Sequence, residues 1–253
     1  MTARTPWQAG PLLLMDTETT GIDTDHDRIV TCTLIGIQPG HEPRTGQWLI
    51  DPGIEIPAPA AAVHGITTSH ARQHGQAPAV ALEQITTWLA RAITRDIPLV
   101  LFNAQYDLTL LDRELRRHQI PGTTGMLDDA AVIDGFVIDK QLDRRKGSRK
   151  LTDQAKHYGL PTFAAHDATA DALTAGRLAW ALAHRYPAEL QIPLPDLHAK
   201  QKQWKAAQAR SFRAYLQRSG KDASDVHEEW PVRPLPPGWD PTAAPTTATK
   251  DTA

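Results

Sequence analysis

Across 253 residues this sequence has one cysteine, Cys32, so no disulfide framework can form within the chain. It has no apolar run approaching the roughly 18 to 20 residues that a membrane-spanning helix needs. Nor is there an excess of charge of either sign: 27 Lys and Arg stand against 29 Asp and Glu, a formal net charge of -2. A polyanionic partner would therefore have to be met by a local basic patch and by bound cations, not by a global field. The opening residues MTARTPWQAG lack the apolar stretch and small-residue cleavage site of a secretory leader, and the cytoplasm is the expected location.

What is present is a regular alternation of apolar patterns. PLLLMD (11–16), RIVTCTLIGI (28–37) and QWLI (47–50) read as three strands, separated by turn residues such as Gly21, Pro39 and Gly40, and predict an antiparallel meander. Residues 78–95 carry apolar side chains at helical spacing, PLVLF (98–102) reads as a buried strand, and Asn103 is placed to cap a following helix lined by Leu108, Leu111 and Leu115. AVIDGFVID (131–139) fits strand or helix equally; LTDQAKHYGL is a short helix and DATADALTAGRLAWALAHRY a long one. The expected organisation is a main domain over 1–186, a Pro-rich linker over 187–195, an amphipathic helical appendage over 196–220, and an extended or disordered tail over 221–253.

Three segments carry candidate chemistry. Asp16 and Glu18 stand in MDTETTG at the end of the first apolar run; side chains two apart on a strand point the same way, so the carboxylates converge. Asp107 in NAQYDLTLL falls in the first turn of the helix after PLVLF, where by itself it would complement the helix dipole. His166 precedes the last long helix in HDATADAL, and Asp171 lies one turn inside it. Each alone has an ordinary reading, because acidic residues and histidines are mostly exposed. Together they lie at the ends of separate elements, in an order that can bring four carboxylates and one imidazole into one crevice.

In this order and spacing, with MDTETTG, NAQYDLTLL and HDATADA and a five-residue step from His166 to Asp171, the chain resembles the DEDDh exonucleases. That DnaQ-like superfamily includes the epsilon proofreading subunit of bacterial replicative polymerase, RNase T and oligoribonuclease. The resemblance spans roughly residues 11–186, and VHGIT (63–67) matches the epsilon-like branch. It implies an α/β, ribonuclease-H-like fold: a five-stranded mixed sheet flanked by helices. It also implies two Mg2+ ions, with Mn2+ able to substitute, held by Asp16, Glu18, Asp107 and Asp171. Asp16 would bridge both ions, Glu18 and Asp171 would complete one site, and Asp107 would support the other mainly through water. Hard oxygen donors suit such ions. His166, with an ordinary pKa of about 6.5, would be the general base.

The resemblance further implies 3′-to-5′ exonuclease activity on DNA, releasing nucleoside 5′-monophosphates in replication proofreading or repair, with single-stranded 3′ ends as the partner. An exoribonuclease trimming RNA 3′ ends and a non-catalytic nucleic-acid-binding module are the alternatives. For substrate contacts, Thr17, Thr19, Thr20 and Asn103 adjoin the acidic motifs, and His64 either meets the terminal base or packs beneath its loop. Tyr106 either wedges against the penultimate base or fills core. In DRRKGSRK (143–150), Arg145 and Lys146, with Arg144, Arg149 and Lys150, offer a track for backbone phosphates. QIPLP (191–195) loosely resembles glutamine-led sliding-clamp peptides, which makes a clamp or DNA polymerase a further candidate partner, although a free-standing enzyme is the expectation.

Overall fold

A computed structural model describes residues 6–121, 125–161 and 168–243. The three expected strands are β1 (Leu12–Thr19), β2 (Ile29–Ile37) and β3 (Arg44–Leu49), paired antiparallel in sequence order. β4 (Leu99–Leu101) then lies parallel to β1, and β5 (Val132–Asp134) parallel to β4, giving a five-stranded mixed sheet in the order β3-β2-β1-β4-β5. β1 is central and covered on both sides, and for that reason Leu12 to Met15 form an unbroken apolar run instead of alternating with polar residues.

Helices cover both faces. Leu13 and Met15 point into a core shared with α3 (Pro78–Ile93) and α4 (Ala104–Arg117). Leu12 and Leu14 point into a second core, shared with α7 (Ala168–Arg185). Between β3 and α3 lie two short helices, α1 (Ala58–His64) and α2 (Thr68–His74), which sequence periodicity did not predict. The reason is visible: α1 buries no residue and α2 only Ala71, so neither needs an apolar stripe. The ambiguous run 131–139 proves to be both structures in turn, β5 and then α5 (Gly135–Leu142), with Asp134 at the junction. α6 (Leu151–His157) follows, and α8 (Pro187–Leu190) comes after α7.

The C-terminal helix, α9 (Leu194–Arg218), is packed into this body. β5 is the edge of the sheet, and its outward backbone groups need partners. α9 supplies them from side chains: Gln201 Oε1 accepts from Asp134 N at 2.7 Å, Gln201 Nε2 donates to Val132 O at 2.8 Å, and His198 Nδ1 accepts from Val132 N at 3.1 Å. The expected appendage thus stands where a sixth strand would. Residues 221–243 form neither helix nor strand and are held against the body. Arg113 donates to the carbonyls of Arg233 and Pro234, Arg117 to that of Pro241, and Trp230 is buried. Within the QIPLP segment, Ile192 and Leu194 pack against the second core and Gln191 donates to Ala183 O. Among the described residues no helix is long and apolar enough to cross a membrane.

Candidate active site

The alternation of β1 continues past its apolar half. Leu12 and Leu14 face α7, and so therefore do Asp16 and Glu18; Leu13 and Met15 face α3 and α4, and so do Thr17 and Thr19. The position of α7 is set by Gly176, whose Cβ, if it had one, would lie 2.7 Å from Leu14 Cδ1. Glycine there lets the helix backbone settle directly onto the strand. Five residues back along α7 is a displacement of about 7.5 Å, and two residues on from Leu14 along β1 is about 6.8 Å. Asp171 consequently arrives beside Asp16. Carboxylate oxygens of Asp16, Glu18 and Asp171 lie within 4.8 Å of one another, all three side chains half-buried.

Asp107 approaches from the opposite face of the strand. Its carboxylate Oδ1 accepts from Thr17 Oγ1 at 2.7 Å, so the threonine between Asp16 and Glu18 is the link to it. Asp107 is 5 % exposed, and burial pushes its carboxyl up from 3.8 to about 7, against the pull of the Thr17 hydroxyl. A triplet of converging carboxylates with a fourth desolvated nearby is a deficit of positive charge that hard divalent cations relieve, and the donors are of the type such ions take. The residues fit a divalent cation that takes oxygen donors. Cys32, opposite Thr17 on β2, takes no part as a thiolate: burial, and then the charges of Asp107 and Asp16, push its thiol far up.

The remaining candidates divide clearly. His166 lies outside the described residues. Thr19 Oγ1 donates to Gly21 O at 2.7 Å and lies 2.5 Å from Tyr106 Oη, which itself donates to Gly21 O at 2.6 Å. Thr20 Oγ1 donates to Asp27 Oδ1 at 2.6 Å. These hydroxyls therefore shape the loop after β1 rather than standing open to a nucleotide, and the Tyr106 ring packs against the first core. His64 ends α1, half-buried, its Nδ1 accepting from Ile66 N at 3.1 Å.

Two expectations are corrected. Asn103 makes no side-chain cap; it enters α4 in the left-handed conformation, φ 66°, and the cap is supplied by Asp134, whose carboxylate accepts from Asn103 N at 2.9 Å and Ala104 N at 3.0 Å. Arg145 is not held out for phosphate: with Arg149 it is drawn inward by the fully buried Asp139, Arg145 Nη1 lying 2.6 Å from Asp139 Oδ1. An unpaired buried carboxylate would be far costlier than a shorter phosphate track. Lys146 stays exposed, as do Arg144 and Lys150. Asp134 itself was missed because a lone acid in AVIDGFVID gives no periodic signal, although Asp-Gly-Phe at a strand end is a helix N-cap pattern.

Carboxylates gathered beside the end of the central strand of a five-stranded, ribonuclease-H-like sheet define a nuclease. The chain belongs to the RNase T exonuclease family, of the DEDDh superfamily: the family's model, described as exonuclease, matches residues 13–179. It is 26% identical over 167 residues to the PolC-type DNA polymerase III of Streptococcus thermophilus, covering 66% of this chain and 11% of that protein. With the PolC-type DNA polymerase III of Lacticaseibacillus paracasei it shares 26% identity over 171 residues, 67% of this chain and 11% of that one. Among solved structures it is similar to E. coli exonuclease I in complex with a dT13 oligonucleotide, with TM-score 0.59, 19% identity, and coverage of 71% of this chain and 42% of that one. Exonuclease I from Methylocaldum szegediense gives TM-score 0.57, 20% identity, 70% and 41%. The chain thus spans about a tenth of those polymerases and about two fifths of those exonucleases.

Proposed function

We propose that this exonuclease removes nucleotides from the 3′ end of single-stranded DNA, releasing nucleoside 5′-monophosphates, and serves replication proofreading or repair. The observation that carries the proposal is the meeting of Asp16, Glu18 and Asp171 within 4.8 Å, with Asp107 hydrogen-bonded to the intervening Thr17. Asp16, Glu18 and Asp171, with Asp107 behind Thr17, would hold two Mg2+ ions. Bound there, the ions neutralise the scissile phosphate and compensate charge on the attacking and leaving oxygens. Asp16 and Glu18 would hold the cations at the end of β1, and Asp171 would complete their ligand set from α7. His166 takes the proton from the attacking water, for which an imidazole with an ordinary pKa of about 6.5 is suited near neutral pH.

DNA is favoured over RNA because the polymerase relatives are DNA polymerases and the exonuclease I neighbour is bound to oligodeoxythymidine. The same residues would hydrolyse RNA, differing only in how the 2′-hydroxyl is accommodated. The deciding experiment is digestion of matched DNA and RNA strands labelled at the 5′ end, with Mg2+ or Mn2+. A ladder shortening one nucleotide at a time on DNA is expected, absent for Asp16→Ala. Faster digestion of the RNA strand would overturn the DNA assignment, and release of label as mononucleotide at the outset would overturn the polarity.

A further inference from the structure

The family match ends at residue 179, yet residues beyond it reach the helix that carries Asp107. Trp230 is 2 % exposed, and its Nε1 donates to Asp134 Oδ2 at 3.2 Å. Gln201, fully buried, fixes the Asp134 backbone from α9. The Asp134 carboxylate accepts in turn from Asn103 N and Ala104 N at the start of α4, and from Phe136 N at 3.0 Å and Val137 N at 3.3 Å at the start of α5. One buried carboxylate thus seats two helix N-termini, whose first N–H groups have no partner within their own helices. A second tie runs alongside: Gln105 Nε2, in the first turn of α4, donates to Glu229 O at 2.5 Å. That same turn carries Tyr106 and Asp107.

We infer that Trp230 is a positioning residue for Asp107: its indole N–H fixes the Asp134 carboxylate, and that carboxylate sets where the first turn of α4 stands against Thr17. The inference rests on the proposed role of Asp107 at the reaction centre. Trp230 is a suitable group because it offers a donor and no acceptor, and its ring is already held against His198, centroids 4.9 Å apart. Without that donor, Asp134 Oδ2 keeps only Ala104 N, and the carboxylate rests on backbone N–H groups alone, so its hold on the first turn of α4 loosens. A displacement of about 1 Å at such a site costs up to about 10²-fold, and groups supporting a metal centre lose about 10-fold or more in affinity or rate when their outer partners are removed.

The test uses the full chain carrying Trp230→Phe, which keeps a ring against His198 and removes the donor. Two quantities are measured well below the melting transition: amide hydrogen exchange at Asn103 and Ala104, and kcat, KM and the Mn2+ concentration for half-maximal rate on a 5′-labelled DNA strand. Faster exchange at both amides is expected, with kcat lower and the Mn2+ requirement higher by about 10-fold and KM nearly unchanged. Glu228→Gln, at a solvent-side ion pair on the same segment, should change none of these. If Trp230→Phe does not fold, Asp134→Asn, which keeps the shape but offers one acceptor oxygen, should give the same pattern. Unchanged exchange overturns the inference, and so does faster exchange with unchanged kcat and metal requirement. A wild-type protein inactive on every strand would instead overturn the proposed reaction, while the exchange comparison would still report whether Trp230 seats α4.

Discussion

Asp107 and Asp134 are both buried aspartates, 5 % and 1 % exposed, and burial pushes both carboxyls up, yet their surroundings differ in kind. Asp134 is ringed by backbone N–H groups and an indole, and joins two helices to the edge of the sheet. Asp107 has the Thr17 hydroxyl as its side-chain donor and sits beside a carboxylate triplet. The first carboxylate is met by fixed dipoles drawn from two helices and an indole; the second is met by the Thr17 hydroxyl and local backbone N–H groups, beside three further carboxylates. On the proposed function, Asp134 is a structural carboxylate and Asp107 one kept for chemistry, and the difference lies in what surrounds each.

Substitution at Asp107 should show the larger effect. Asp107→Asn is expected to lower kcat by about 10²-fold or more, since cations at such a centre supply several kcal/mol of transition-state stabilisation. The same change should stabilise the metal-free protein at pH 8. A folded pKa raised from 3.8 to about 7 means that the contribution of Asp107 to stability is whole below 3.8 and is lost as pH rises through about 7. Urea melts at pH 4 and pH 8 check the sign; a variant less stable at pH 8 would erase the contrast. Asp134→Ala should do the reverse on stability, costing about 3 kcal/mol or more because several buried donors lose their acceptor together.

Gly176→Ala sharpens the comparison from the other face of β1. A methyl group 2.7 Å from Leu14 Cδ1 must push α7 outward, at about 1 to 3 kcal/mol. Because α7 carries Asp171, activity should fall with stability; a full-rate variant would show that the triplet tolerates displacement. The smallest effect is expected at the sheet edge. His198 accepts from Val132 N only while Nδ1 is unprotonated, and burial lowers its pKa from 6.5. Its contribution is present above about pH 6.5 and declines as pH falls below that, so the urea midpoint should drop between pH 7 and pH 5 and do so less in His198→Asn.

The strands of the meander, the crossover helices and the acidic motifs were legible because each is a local pattern: apolar period, turn residues, and carboxylates two or five positions from a partner. α1 and α2 were not, since they bury almost nothing. The cap of α4 was misassigned to Asn103 because capping was sought nearby in sequence, whereas its acceptor comes from thirty residues on. Arg145 looked like a phosphate contact for a similar reason: nothing in DRRKGSRK reveals that Asp139 will be wholly buried and in need of two guanidinium groups.

Sequence by itself determined which side chains could do chemistry here, because residue type and strand alternation already place Asp16 and Glu18 on one face. Only the tertiary structure decided how each buried carboxylate is met, since that depends on donors brought from remote segments: Trp230 Nε1 to Asp134, and Thr17 Oγ1 to Asp107. Desolvation is a property of the packed body, and no stretch of chain read alone contains it.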